Sequence, residues 1–232
     1  MLSVFVVPNI SRDDVLVVDG EEAHHAIKVM RLNIDEEIVV TDGAGNWAQG
    51  SIQSLDKKSF AIQVSRRGFE DPRAPELIVI QALTKSDRMR ETIELLTVAG
   101  VDRIIPWKAQ RSIAQEKESS TEKWTSVAIA ACKQSRRLRF PVIENALTTH
   151  QIVERFAGKF IVLNENSSHK LSDLKFVDQT AVVLVVGPEG GISDTELSQL
   201  TGTHVRMGQE VLRSAHAGFA ALAAIQTLIR RW

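Results

Sequence analysis

Residues 181–191 read AVVLVVGPEGG, and ISDTEL follows at 192–197. Six apolar, mostly β-branched residues in a row are the pattern of a strand buried on both faces, as in a parallel sheet. Gly187-Pro188 ends it. Gly190 and Gly191 admit backbone angles that other residues resist. Ser193 and Glu196 have the spacing of a capping box, so a helix is expected to start there. Strand, glycine loop and helix N-terminus in succession form the place where α/β proteins bind ligands, beyond the carboxyl end of a strand. The loop lacks the GK[ST] of a P-loop and the GxGxxG of a dinucleotide fold. Glu189 inside it would repel a polyphosphate. A ligand with a positive centre and a neutral heterocycle suits it better.

The chain on either side fits an α/β reading. ELIVIQA at 76–82 is a buried strand, and 84–88 is a loop with a helix N-cap expected at Ser86 or Asp87. Met89, Ile93 and Leu96 recur at helical spacing before Gly100, and VDRIIP at 101–106 is the next strand, completing a βαβ unit. Trp124, Val127, Ala128 and Ala131 mark a helix that runs into Gln134-Ser-Arg136-Arg137-Leu-Arg139. FPVIE at 140–144, a helix over 151–156, KFIVLNE at 159–165 and a short strand at 204–207 follow. Residues 208–213 form a second ligand-side loop. Phe219, Leu222, Ile225 and Ile229 lie on one side of a closing helix.

The N-terminal part has a different pattern. SVFVV, VLVV, EEIVVTDG, NWAQGSIQSL and SFAIQV are short alternating or apolar runs, so residues up to about 69 read as β-rich. One helix is expected over 21–32, EEAHHAIKVMRL, with Ala26, Val29 and Met30 on its apolar side. His25, Lys28 and Arg31, spaced by three, share a face there, with His24 beside them. Residues 70–75, EDPRAP, are charged, proline-bearing and without periodicity, which places a boundary between domains 1–70 and 71–232.

Composition excludes several classes. Hydrophobic residues at 44%, charged residues at 25% and a net charge of −1 are ordinary for a globular protein and mark the whole chain for neither nucleic acid nor membrane. The distribution is uneven. Residues 1–72 hold 7 Lys+Arg against 12 Asp+Glu, net −5, and residues 103–140 hold 9 against 3, net +6. The basic stretch suggests a surface facing a polyanion. The single cysteine, Cys132, excludes an internal disulfide and a cysteine metal cluster, and its VAIAAC setting makes it a core residue. No histidine or carboxylate spacing suggests a metal site. No run reaches membrane-spanning length and the first residues lack signal-peptide features, so a cytoplasmic location is expected.

GPEGGIS at 187–193, MGQEVLR at 207–213, HHAIKVMRL at 24–32 and AIAACKQSRR at 128–137 together resemble the ribosomal RNA small subunit methyltransferase E (RsmE) family. The match runs in order over nearly the whole chain. The resemblance implies an S-adenosylmethionine-dependent transferase acting on N3 of a uridine in 16S ribosomal RNA and releasing S-adenosylhomocysteine. It implies a PUA-like β-barrel followed by a SPOUT-type α/β domain with a C-terminal trefoil knot, working as a homodimer. Carried over by position, it implies a donor site made by Leu163 and Asn164, by Gly187, Glu189, Gly190, Gly191 and Ile192, and by Met207, Gly208, Val211, Leu212, Arg213 and Ser214. Where the family often reads LRTETA, this chain reads LRSAHA at 212–217: Ser214 keeps the hydroxyl, while Ala215 replaces a glutamate and His216 a threonine.

Uridine N3 is a poor nucleophile until it loses its proton. Arg213 is the candidate for stabilising the resulting anion, and Arg136 is a second candidate for the target phosphate or base. His24, His25, Lys28 and Arg31, with Lys133, Arg136, Arg137 and Arg139, are the candidate RNA contacts. A ribose 2′-O-methyltransferase of the same fold would carry a Ser-Leu-Asn motif at the last loop, which LRSAHA is not. A non-catalytic RNA-binding module would tolerate an eroded glycine loop, and GPEGG is intact. A nucleotide-dependent enzyme is disfavoured by Glu189 and the missing lysine.

Overall fold

The computed structural model describes residues 2–113 and 120–232. The chain clusters into two compact units, one made of residues 1–72 with 132–140, the other of 73–131 with 141–232.

The first unit is built on a five-stranded sheet: β1 (Ser3–Val6), β2 (Val15–Asp19), β3 (Glu37–Thr41), β4 (Asn46–Leu55) and β5 (Ser59–Phe69), in the order β1-β3-β4-β5-β2. β1 and β3 are parallel; the other pairs are antiparallel. Alternation does what the sequence pattern predicts: Leu16 and Val18 point inward from β2 while Val15 and Val17 point out. Phe5 and Phe60 meet edge to face, 5.5 Å apart, in a core with Ile38, Val40, Ile52 and Ile62.

The helix expected over 21–32 is shorter and partly of another kind. A five-residue α-helix, α1 (Gly20–His24), passes into a π-helical turn over His25–Met30, which Arg31 closes in the left-handed region at φ 54°. A π-turn spaces its bonded groups by five residues, so a step of three does not return a side chain to the same face. Ala23 and Ala26 are buried, but Val29 and Met30 are turned outward, 63% and 41% exposed. The expected apolar side ends at Ala26.

Residues 132–140 complete this unit. Thr41 Oγ1 donates to the Leu138 carbonyl at 2.9 Å, and Phe140 N donates to the Gly43 carbonyl at 2.8 Å. Lys133 Nζ donates to Glu22 Oε1 at 2.6 Å and lies over the Phe5 ring. The Arg139 guanidinium donates to the Glu70 carbonyl and covers Phe69. Cys132 is fully buried, and burial pushes its thiol up to about 11, which disfavours the thiolate.

The second unit is a doubly covered parallel sheet. Its elements are β6 (Glu76–Ala82), α2 (Ser86–Val98), β7 (Arg103–Lys108), α3 (Ser120–Ser135, which ends in the first unit), β8 (Val142–Ile143), β9 (Leu147–Thr148), α4 (Thr149–Phe156), β10 (Ile161–Leu163), β11 (Ala181–Val186), α5 (Asp194–Gln199), β12 (Thr203–Val205) and α6 (Ser214–Leu228). The N-cap position of α2 falls on Lys85, one residue before the expected candidates. Strand order is β12-β10-β11-β6-β7-β8, with β9 also on β7.

β11 is the predicted two-faced strand. Val182, Leu184 and Val186 join the core layer that holds Leu77, Ile93, Leu222 and Ile225, while Val183 and Val185 join Ile80, Trp107, Ile152 and Leu200 on the other face. Leu222 and Ile225 are therefore core of this chain, 1% and 0% exposed, whereas Phe219 of the same helix is half-buried. At the amino ends of β6 and β7, Arg103 bridges Glu76 and Glu144, and Arg155 also binds Glu144. The hydrogen bond from Arg155, with that from Arg103, holds the Glu144 carboxyl below its ordinary range. That cluster lies at the opposite strand ends from the site below, and its charges are spent on one another.

Candidate functional site

A cavity of about 790 Å³ opens at the carboxyl ends of β10, β11 and β12. This is the crevice that the order of a doubly wound sheet predisposes to bind ligands. Three chain segments wall it. Leu163 and Asn164 leave β10, Gly187–Ile192 leave β11, and Met207–Ser214 leave β12 and lead into α6. All thirteen residues named above from family resemblance line this one space.

The GPEGG loop is shaped from within. Gly191 N donates to the Pro188 carbonyl at 2.9 Å, closing a tight turn. Gly191 has φ +74°, in the left-handed region where only glycine is unstrained. Gly190 is not in that region, and a Cβ there would make only an ordinary contact, 3.5 Å from Arg111 Cβ. The freedom expected of both glycines is needed at Gly191. Gly187 answers a different demand: its Cβ would lie 2.6 Å from Ile192 Cγ1.

The expected capping box is present. Ser193 Oγ accepts from Glu196 N, and Glu196 Oε2 accepts from Ser193 N. Glu196 is 5% exposed and does more than cap. Its Oε1 accepts from Gln110 N and from Thr149 Oγ1, each at 2.9 Å, and Thr149 Oγ1 accepts from Trp107 Nε1 at 3.1 Å. One buried carboxylate thus ties the start of α5 to the segment after β7, which carries Arg111. Arg111 Nη1 donates to the Gly190 carbonyl at 3.1 Å, and Arg88 from α2 forms an ion pair with Glu189. Both arginines line the cavity, as does Arg206. Sequence reasoning missed all three. Arg88 was within reach of the carboxyl-end rule, because it follows β6.

The third wall is joined to the second by Ser214, whose Oγ donates to the Gly187 carbonyl at 2.6 Å. Arg213 is the N-cap residue of α6, with extended backbone and an exposed side chain at the cavity wall. Among the described residues, none accepts a hydrogen bond from the backbone N–H groups of Gly190, Ile192, Leu212 or Arg213. The cavity therefore offers backbone donors, the Asp194 carboxylate and the Arg88-paired Glu189, the guanidinium groups of Arg111, Arg206 and Arg213, and apolar surface from Leu163, Ile192, Leu197 and Met207. That set suits a ligand with a carboxylate, a cationic centre and a flat heterocycle.

The other candidates fall elsewhere. Arg136 groups with the first unit, exposed, in the left-handed position at φ 60° that ends α3. His24, His25, Lys28 and Arg31 are exposed on the first unit, but the π-turn does not align the last three on one face. Lys133 is committed to Glu22 and Arg139 to the Glu70 carbonyl, while Arg137 is half-buried. His216 lies 3.4 Å from Glu91 on α2, an exposed surface pairing. No group of three metal-ligating side chains, and no helix long and apolar enough to cross a membrane, occurs among the described residues.

Comparison with known proteins gives consistent matches. A family model described as an RNA methyltransferase domain matches residues 71–226, and one described as an RNA methyltransferase PUA domain matches residues 18–65. The chain is 36% identical to ribosomal RNA small subunit methyltransferase E of Mycobacterium bovis, over 94% of this chain and 88% of that one. It is 28% identical to the protein of the same name from Bacillus subtilis, over 90% and 88%. Among solved structures, ribosomal RNA small subunit methyltransferase E from Neisseria gonorrhoeae bound to S-adenosyl methionine superposes with a TM-score of 0.89 at 26% identity, covering 98% of each chain.

Proposed function

The chain belongs to the RNA methyltransferase family that includes ribosomal RNA small subunit methyltransferase E, and on that footing we propose that it methylates N3 of a uridine in 16S ribosomal RNA with S-adenosylmethionine as donor. The observation that carries this reading is the convergence of three strand-end loops, GPEGG among them, on one cavity with unengaged backbone donors. S-adenosylmethionine, when bound, supplies an electrophilic methyl group. The backbone N–H groups of Gly190, Ile192, Leu212 and Arg213 suit its carboxylate and ring nitrogens, and the Asp194 carboxylate suits its positive charge.

The chain's own contribution is to position and to stabilise charge. As N3 gives up its proton to solvent, negative charge spreads over the uracil carbonyl oxygens. We assign that charge to the Arg213 guanidinium, which is exposed at the cavity wall. Methyl transfer then forms one N–C bond as the S–C bond breaks. Mass spectrometry of small-subunit RNA tests the function: cells lacking this protein should lose one methylated uridine, regained with the wild-type gene. Unchanged methylation would overturn the reading.

We assign residues 1–70 to RNA binding and 71–232 to a knotted catalytic domain that works as a homodimer. A fully active monomer in light scattering at low concentration would contradict the dimer. For RNA, Lys28 and Arg31 are exposed on the first unit and have no side-chain partner among the described residues. Replacing both with Ala should weaken binding of a structured RNA and flatten the log–log salt slope by about one unit per lost phosphate contact. Donor affinity should not change. An unaltered slope would remove this surface from the interface.

A further inference from the structure

Gln81 sits next to last in β6 and is completely buried. Parallel pairing sets it beside Val186, one residue before the glycine loop. Its Nε2 donates to Ser214 Oγ at 2.9 Å, and Ser214 Oγ donates to the Gly187 carbonyl at 2.6 Å. A hydroxyl has one proton to give. Because the Gln81 amide donates to the Ser214 oxygen, that proton goes to Gly187. An acceptor in place of Nε2 would compete for it.

The arrangement has a cost. Gln81 Oε1 is buried and has no hydrogen-bond partner among the described residues. It faces Gly218, where a Cβ would come within 3.1 Å. An apolar side chain of similar size would avoid the orphaned acceptor, so an amide at this position calls for a reason beyond packing.

We propose that Gln81 is a positioning residue for the donor cavity. It orients the Ser214 hydroxyl so that the wall at 207–214 is fastened to the wall at 187–192. The walls that carry the unengaged amides of Ile192, Leu212 and Arg213 are thereby held around one cavity. This rests on reading the cavity as the S-adenosylmethionine site.

The test is Gln81→Glu, which keeps size and shape. The introduced carboxyl donates to Ser214 only while protonated, and burial raises the pH at which it ionises. Calorimetric affinity for S-adenosylmethionine, taken as a ratio to wild type at each pH, should be near one at the acid end. It should fall about tenfold or more as the carboxyl ionises. In a Ser214→Ala background the pH dependence of that ratio should disappear. Gln81→Met, which has no donor, should bind more weakly than wild type by a pH-independent factor, and it decides the matter if the glutamate variant does not fold. Wild-type affinity in Gln81→Met, or a flat ratio in a folded Gln81→Glu, would overturn the inference alone. A wild-type chain that binds no donor would overturn the reading of the cavity, and the inference with it.

Discussion

Gly191→Val should bind S-adenosylmethionine about 10- to 100-fold more weakly than wild type, while Gly190→Ala should stay within a few-fold. The two glycines are adjacent in sequence and differ in what the backbone asks of them. Gly191 holds φ +74° to close the turn onto the Pro188 carbonyl. A β-branched residue there is strained by roughly 1–3 kcal/mol, and each 1.4 kcal/mol is tenfold in a binding constant. The space beside Gly191 is open, its nearest neighbour being Arg111 Nη1 at 3.8 Å, so the penalty is one of conformation and not of collision. The loop would relieve it by changing path, taking the Gly190 and Ile192 amides out of line. Calorimetry gives the affinities, and a thermal melt checks that the fold persists. Wild-type affinity in Gly191→Val would remove this loop from the donor site.

The second large effect is expected at Arg213. Its backbone begins α6 and its side chain is exposed at the cavity wall, with no hydrogen-bonding partner among the described residues. Arg213→Ala leaves the backbone amide in place, so donor affinity should change little. Turnover should fall about 10²- to 10³-fold, the usual cost of removing one group that stabilises developing charge. Single-turnover rates at saturating donor and RNA separate this from weaker binding. Turnover within about threefold of wild type would mean that the charge on the base is stabilised by another group, with Arg88 and Arg111 the next to examine.

What could be read from sequence follows the range of the interaction. β11 and the start of α5 depend on local rules, apolar β-branched residues and a capping pair three residues apart, and both stand where those rules put them. The π-turn at His25–Met30 is a small change of winding that hydrophobic spacing over one short helix does not resolve. Lys133 reads as a free cation in a basic run. The structure sets it against Glu22, 111 residues away, a pairing that no local pattern encodes. Arg111, and the contacts Glu196 makes beyond its cap, were missed for the same reason. Each acts across segments that meet only in the fold.

The strand order has a consequence for assembly. β6 lies at the middle of the sheet and β10 on its far side, and the chain makes both before it makes β11, which pairs with each of them. Until residues 181–186 enter, the two parts of the sheet present facing, unsatisfied edges, and the segment that must fill the gap is six uncharged apolar residues. Such a segment is sticky when exposed. The flanking Asp178 and Pro188 are the kind of residue that keeps it from pairing with other chains. Docking it is a long-range step, and such steps are slow. The joint that presents GPEGG therefore closes only when this long-range pairing forms, and a chain in which it has not formed has no place to hold a ligand. Pulsed hydrogen exchange during refolding should find the amides of 181–186 among the last to be protected.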